Sequence, residues 1–209
     1  MYDLEEQEKL DALKDWWKRN GKAVIAGFAL FVLALLGGQS WRSWQHSQTE
    51  AAAKLFDALS ATVASKDVKK IVAAAKSVQD AFPKSGYAPR AAFVAAKAAY
   101  EAGDRSAARE QLEWAAAHAE EPPLKEMAHF RLAGVLADDK RYDDAFAQLS
   151  QVTDAKFAAL VASLRGDILV AQGKLADARR AYKDALGAPG GGQIHQVTQT
   201  KLDALGEGG

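Results

Sequence analysis

The sequence predicts an all-α protein: a single N-terminal transmembrane helix followed by a solenoid of helical hairpins. Three observations lead there. The run Ala23 to Trp41 carries no charge. At about 1.5 Å per residue it makes a helix of roughly 28 Å, close to the hydrocarbon thickness of a bilayer. After position 50 alanine is abundant while valine and isoleucine are sparse, which favours close-packed helices over strands. The five prolines, Pro83, Pro89, Pro122, Pro123 and Pro189, punctuate apolar-periodic runs and are expected to lie between helices, because proline breaks a helix interior.

Residues 1–22 form the first segment. Leu10, Leu13 and Trp17 recur at helical spacing with Glu6 and Lys9 off the stripe, as in an amphipathic helix at a membrane surface. A solvated acidic tail is the alternative. Residues 23–41 are the span, which in lipid must be helical to satisfy its own backbone. Four of the five tryptophans, Trp16, Trp17, Trp41 and Trp44, flank it, where amphipathic rings anchor at the two water–lipid interfaces. A cleaved signal peptide would begin short and basic, whereas this run follows a long, acidic segment; an uncleaved anchor is expected. Ala23–Gly27 and Ala34–Gly38 have the small-xxx-small spacing that permits close helix approach in the membrane. Lys9, Lys14, Lys18, Arg19 and Lys22 precede the span, and only Arg42 and Lys54 follow it over a similar distance. The positive-inside rule then keeps the N-terminus cytoplasmic and exports residues 42–209, to the periplasm in a Gram-negative cell.

Lys plus Arg equals Asp plus Glu, so the net charge is zero. No basic surface for nucleic acid is indicated. The absence of cysteine excludes disulfides, thiolate nucleophiles and Cys-ligated metal. The roughly 165 residues after the span suffice for one domain with its own core.

The exported part reads as helices over about 45–65, 67–82, 88–102, 105–119, 124–138, 142–153, 156–171, 175–187 and 193–205. Gly103 and Gly173 mark turns, and Asp104 is placed to cap the helix after Gly103. The helices pair, and the pairs repeat. A small residue (Ala96, Ala133, Gly166) opens each unit. A turn follows, then an alanine (Ala108, Ala145, Ala178) and, four later, a large residue (Leu112, Leu149, Tyr182). The three alanines are 37 and 33 residues apart. Small residues let two backbones approach, the large one fills the gap to the next hairpin, and no hairpin can bury its faces alone. An earlier, weaker unit holds Ile71, Ala75 and Val78, with a first arm that could continue the membrane helix. The last helix, with Ile194, Val197 and Leu205, is expected to close the open apolar end.

These segments look like tetratricopeptide repeats, making the solenoid tetratricopeptide-like. The whole chain also resembles the YfgM-type family of ancillary SecYEG translocon subunits. The resemblance rests on the Asp3–Lys18 opening, the single span, the Leu164–Leu169 run Leu-Arg-Gly-Asp-Ile-Leu, and Ala-Arg-Arg-Ala-Tyr after it. It implies a bacterial inner-membrane protein with a periplasmic repeat domain. The domain would associate with the SecYEG translocon and with PpiD, a membrane-anchored chaperone, and assist secretory proteins after translocation.

No catalytic or metal-ligating constellation stands out, and no cofactor is expected. His46, His118, His129 and His195 lack ligand spacing and are expected to be solvated or hydrogen-bonded. Gly190-Gly191-Gly192 lacks the Lys-Ser/Thr of a phosphate loop and reads as a hinge. Arg165 and Asp167 could form a surface ion pair or hold a partner. The expected site is a groove along the first helices of the hairpins. Phe93, Lys97 and Tyr100 would line it from one unit, Met127, Phe130 and Ala137 from the next, and Ser163, Asp167 and Val170 from the last. Such a surface suits a partner's helix or extended segment, secretory clients included. The same aromatics could instead be packed by neighbouring helices. The function that follows is a membrane-anchored interaction scaffold, not an enzyme. The alternative is a signalling regulator whose N-terminal tail binds a cytoplasmic response factor.

Overall fold

A computed structural model describes residues 2–206, with side chains from Glu8 onward. The glycine-rich end, residues 206–209, is expected from the sequence to fray; Glu207–Gly209 of it lie outside the described residues, as do the side chains of the acidic opening before Glu8. Among the described residues the regular structure is entirely helical. The elements are α1 (Tyr2–Val63), α2 (Val68–Ala81), α3 (Tyr87–Glu101), α4 (Arg105–His118), α5 (Pro122–Asp138), α6 (Tyr142–Leu149), α7 (Ala158–Ala171), α8 (Leu175–Gly187) and α9 (Gly192–Ala204). A single 3-10 turn, Ala155–Phe157, precedes α7. The chain divides into two compact units, Met1–Glu50 and Ala51–Gly209.

Within the first unit the apolar run is helical throughout and exposed on all sides. Phe28, Leu30 and Leu33, on different faces, are each about two-thirds exposed. An all-round apolar helix covered by no protein is long and apolar enough to cross a membrane. The rings of Trp16 and Trp17 stand 6.4 Å apart before the run, and those of Trp41 and Trp44 stand 5.2 Å apart after it.

The second unit is a chain of antiparallel pairs. From α2 to α6 each helix packs on the next; α8 then packs on α7, and α9 on both. Leu59 of α1 meets Ile71, Ala75 and Val78 of α2 and Ala91 and Ala95 of α3 in one apolar cluster. A larger cluster joins α3 through α7 around Leu112, Leu132, Leu136, Leu149 and Ile168. Most buried apolar positions are alanines, which bring helix axes toward the lower end of the usual 8–10 Å separation.

The sequence repeat is a structural repeat. Ala108, Ala145 and Ala178 are fully buried, and Leu112, Leu149 and Tyr182 nearly so. The third unit trades sizes. A Cβ at Gly166 would overlap the Tyr182 ring, with Cζ at 3.0 Å and two ring carbons nearer. The larger side chain therefore requires glycine where the other units carry alanine. The hydroxyl of Tyr182 donates to Asp167 Oδ1 at 2.8 Å.

The three turns share one hydrogen-bond pattern. Asp104 N–H donates to Ala99 C=O and Gly103 N–H to Tyr100 C=O; Arg141 and Lys140, then Lys174 and Gly173, repeat the pair. This is the Schellman arrangement, which needs a left-handed residue at its centre. Gly103 (φ 83°) and Gly173 (φ 75°) supply it freely, whereas Lys140 adopts φ 61° against the steric preference of an L side chain. Asp104 accepts from Ala107 N–H at 3.0 Å, capping α4 as expected. Asp67 caps α2 through Lys70 N–H, and that backbone bond holds its carboxyl below the usual range.

Helix α1 runs unbroken past residue 45, so the first arm continues the apolar helix, as the sequence allowed. Several expectations need correction. Pro89, Pro122 and Pro123 lie inside helices, all within the first turn, where the missing N–H has no intrahelical role. Helix α6 stops at Leu149 rather than 153. Two of the three glycines read as a hinge are closely packed, while Gly192 faces open space. Gly190, at φ 78°, has its α-carbon against the Lys156 backbone, where a Cβ would stand 2.6 Å from the carbonyl oxygen, and Gly191 abuts the His195 ring. The last helix is held by polar contacts beside the partly buried Ile194, Leu202 and Leu205: Thr198 donates to Ser163 Oγ at 2.9 Å, and Arg179 donates to the carbonyls of Leu205 and Gly206. Val197 stays about half exposed.

Gly166→Ala should cost about 2 kcal/mol of unfolding free energy by overpacking against Tyr182. Combination with Tyr182→Leu should recover part of it as a positive coupling in a double-mutant cycle, read by denaturant unfolding of the full chain in detergent. In the same assay Lys140→Gly should stabilise by about 0.5–1 kcal/mol, while Gly173→Ala should destabilise by about 1 kcal/mol.

Candidate functional site

Helices α3, α5 and α7 lie side by side as the first arms of consecutive hairpins. Residues that repeat at three and four along one face of each therefore form a shared surface. That surface holds a groove of about 590 Å³. Phe93, Lys97 and Tyr100 line it from α3; Arg131, Gly134, Val135, Ala137 and Asp138 from α5; and Leu164, Asp167, Ile168 and Ala171 from α7. The lining is mostly apolar, with charges at intervals.

The structure brings together five of the nine residues expected to line the groove: Phe93, Lys97, Tyr100, Ala137 and Asp167. Met127 and Phe130 lie partly buried against the main apolar cluster instead, so α5 presents Arg131, Gly134 and Asp138 to the groove. Ala137 lines it, whereas Ser163 is buried and bonded to Thr198. Val170 is partly buried and is not among the lining residues.

Each charge has its own setting. Asp167 accepts from Tyr182 and, at 2.7 Å, from Lys201 of α9. Its ionic partner is thus Lys201 and not Arg165. Burial first, and the bond to Asp167 second, push the Tyr182 hydroxyl well above the ordinary tyrosine range. The Tyr100 hydroxyl donates to Asp138, and that bond raises its pKa, with desolvation adding to it. Tyr100 remains about half exposed. Lys97 is exposed and leans toward Glu101 at 3.7 Å. The guanidinium of Arg131 lies over the Phe93 ring, 4.8 Å from its centroid, a cation–π contact that orients its N–H groups. Among the described residues no carboxylate lies within 4.0 Å of those nitrogens.

Gly134 occupies the helix position that carries Lys97 and Asp167 in the neighbouring units. A glycine inside a helix costs about 0.5–1 kcal/mol relative to alanine. At Gly166 packing explains that cost, but at Gly134 no atom beyond its chain neighbours and its own helix backbone lies within 4 Å of where a Cβ would stand. Neither Gly134 nor Arg131 was legible as a site residue; the sequence signal was the glycine in a mid-helix lining position.

Three of the four histidines make ordinary contacts; the fourth, His195, expected to be solvated or hydrogen-bonded, has its Nε2 buried without a partner among the described residues. His46 faces Glu50 at 3.1 Å, His118 stacks on Trp114, and His129 bonds Gln148 at 2.7 Å. Among the described residues no group of three or more His, Asp or Glu is placed to hold a metal ion. The apolar lining and spaced charges of the groove suit recognition by shape, apolar contact and a few directed charges.

Comparison with known proteins agrees with this architecture. A family model described as a tetratricopeptide repeat-like domain matches residues 14–207. A protein of Haemophilus influenzae named "Ancillary SecYEG translocon subunit" is 34% identical over 205 residues, 98% of this chain and 99% of its own length. Proteins of the same name from Neisseria gonorrhoeae and Escherichia coli are 32% identical over 207 residues and 28% identical over 200. They cover 97% and 96% of this chain, and 98% and 96% of their own lengths. A match of this length, over the apolar helix and the repeats alike, establishes kinship: the chain belongs to the YfgM-type family of ancillary SecYEG translocon subunits, built on a tetratricopeptide repeat-like domain.

Proposed function

We propose that this chain is a membrane-anchored scaffold of the SecYEG translocon that receives protein segments in the groove along α3, α5 and α7. The observation carrying the reading is an open, largely apolar groove on an interaction-type repeat domain whose relatives bear a translocon name. Residues 1–22 stay in the cytoplasm, residues 23–41 span the inner membrane, and residues 42–209 work in the periplasm. Trp16, Trp17, Trp41 and Trp44 sit at the two interfaces. The periplasmic partners are a membrane-anchored chaperone of the PpiD kind and secretory client segments. Tethering does the physical work. Fixing the domain beside the channel raises its effective concentration at emerging chains toward the millimolar range typical of short linkers. Neither nucleotide nor metal is required, and the reading is non-enzymatic.

A photo-crosslinking residue placed at Lys97 or Tyr100 in living cells should give adducts with a chaperone or with translocating clients. The same residue at Leu175, exposed on α8 and away from the groove lining, should give none. An enzyme reporter fused after Gly209 should be active only in the periplasm. Adducts from Leu175 with none from Lys97 or Tyr100 would refute the groove; a reporter active in the cytosol would refute the topology.

A further inference from the structure

Two side chains in the groove narrow what can occupy it, on the reading that the groove is where partner segments dock. The first is the missing one at Gly134. Across the groove floor the equivalent positions are Lys97, Gly134 and Asp167, one from each first arm. The outer two carry long or charged side chains. The middle one is empty, and no protein atom beyond its chain neighbours and its own helix backbone fills the space within 4 Å of the absent Cβ. Glycine weakens a helix, and here no neighbouring chain demands it, in contrast with Gly166 beneath Tyr182. The vacancy opens into a groove lined also by Val135 and Leu164, and it suits an apolar side chain brought by another molecule.

The second is Arg131, one helical turn before Gly134 on the same face of α5. The other lining charges are engaged within the fold: Asp167 by Tyr182 and Lys201, Asp138 by Tyr100, and Lys97 by Glu101. Among the described lining residues Arg131 is the cation with no acceptor in the fold, and the Phe93 ring beneath it holds its fork in place. A guanidinium oriented in this way presents paired donors that match a carboxylate.

We propose that the groove selects polypeptide segments in which an apolar side chain stands beside an acidic one. The apolar side chain enters the space over Gly134, and the carboxylate pairs with Arg131. An anionic lipid headgroup would satisfy Arg131 as well, but it would leave the apolar vacancy unused.

The test uses the full chain in lipid nanodiscs, a phage-displayed library of short peptides, and counter-selection on Gly134→Leu. That substitution fills open space with a better helix former, so the variant should fold, which a circular dichroism melt checks. Enriched sequences should pair Asp or Glu with a neighbouring Leu, Ile, Val or Phe. As synthetic fluorescent peptides they should lose about tenfold in affinity when the acid is replaced by its amide. Arg131→Gln should cause a similar loss, and the two changes together should cost little more than either alone. Arg131→Lys should keep part of the affinity. Peptides without acidic residues, or peptides indifferent to Arg131→Gln but still blocked by Gly134→Leu, would overturn the carboxylate inference and leave the groove as the docking site. A selection that enriches no groove-dependent sequence would overturn both. A loss on Arg131→Gln seen only with phosphatidylglycerol vesicles would overturn the peptide assignment in favour of lipid.

Discussion

The close approach of helices at small residues is the constraint on which the repeat domain depends. Ala96, Ala133 and Gly166 on the first arms, with Ala108, Ala145 and Ala178 on the second, remove side-chain bulk where two backbones meet. Leu112, Leu149 and Tyr182 then reach past that seam. Alanine contributes little apolar area, so each seam is modest by itself at about 25 cal/mol per Å² buried. Stability must accumulate along the stack through contacts between neighbours. The Gly166–Tyr182 pair shows how tight the constraint is, since a gain in volume on one arm is matched by the loss of a Cβ on the other.

The polar contacts follow from that geometry. Once the arms are close, the side chains at the seams can bond across them: Gln79 to Gln111, His129 to Gln148, and Ser163 to Thr198. Arg90 similarly binds both carboxylate oxygens of Glu121, at 3.2 and 3.3 Å, joining the starts of α3 and α5. These bonds satisfy groups that would be costly to leave unpaired near the core. At the C-terminal end Lys201, Arg179 and Thr198 fasten α9 onto the preceding hairpin. Closure of the stack there thus draws on one ion pair and several hydrogen bonds as well as apolar contact. This leaves Val197 on the surface and commits Asp167 to the fold.

The groove is a by-product of the same packing. First arms set side by side expose one face each, and the backbone spacing that alanine permits fixes how narrow the trough is. Residues whose charges are answered within the fold shape its walls. Residues whose charges or volumes are not answered, Arg131 and Gly134, are left to meet something else. Under the proposed function, such a groove can work at modest affinity, because tethering raises local concentration.

The sequence alone determined what depends on near neighbours along the chain. The uncharged run, the helical periodicity, the small–large order of each hairpin, the Asp104 cap and the turn glycines are all set by residues a few positions apart, where helix geometry dictates the outcome. First-turn prolines and a lysine in a glycine-type turn escaped that reading, because both are tolerated by local geometry without being announced by it. Tertiary structure decided who covers each apolar face. Periodicity says that Met127, Phe130 and Phe93 lie on apolar stripes, but only the neighbouring helices determine that all three pack into or against the core cluster and that Phe93, though buried, also borders the groove. Lys201 reaches Asp167 from 34 residues away, and Tyr182 reaches Gly166 across the seam of its own hairpin. Such pairings depend on the register of packed helices, and no single helix carries that information.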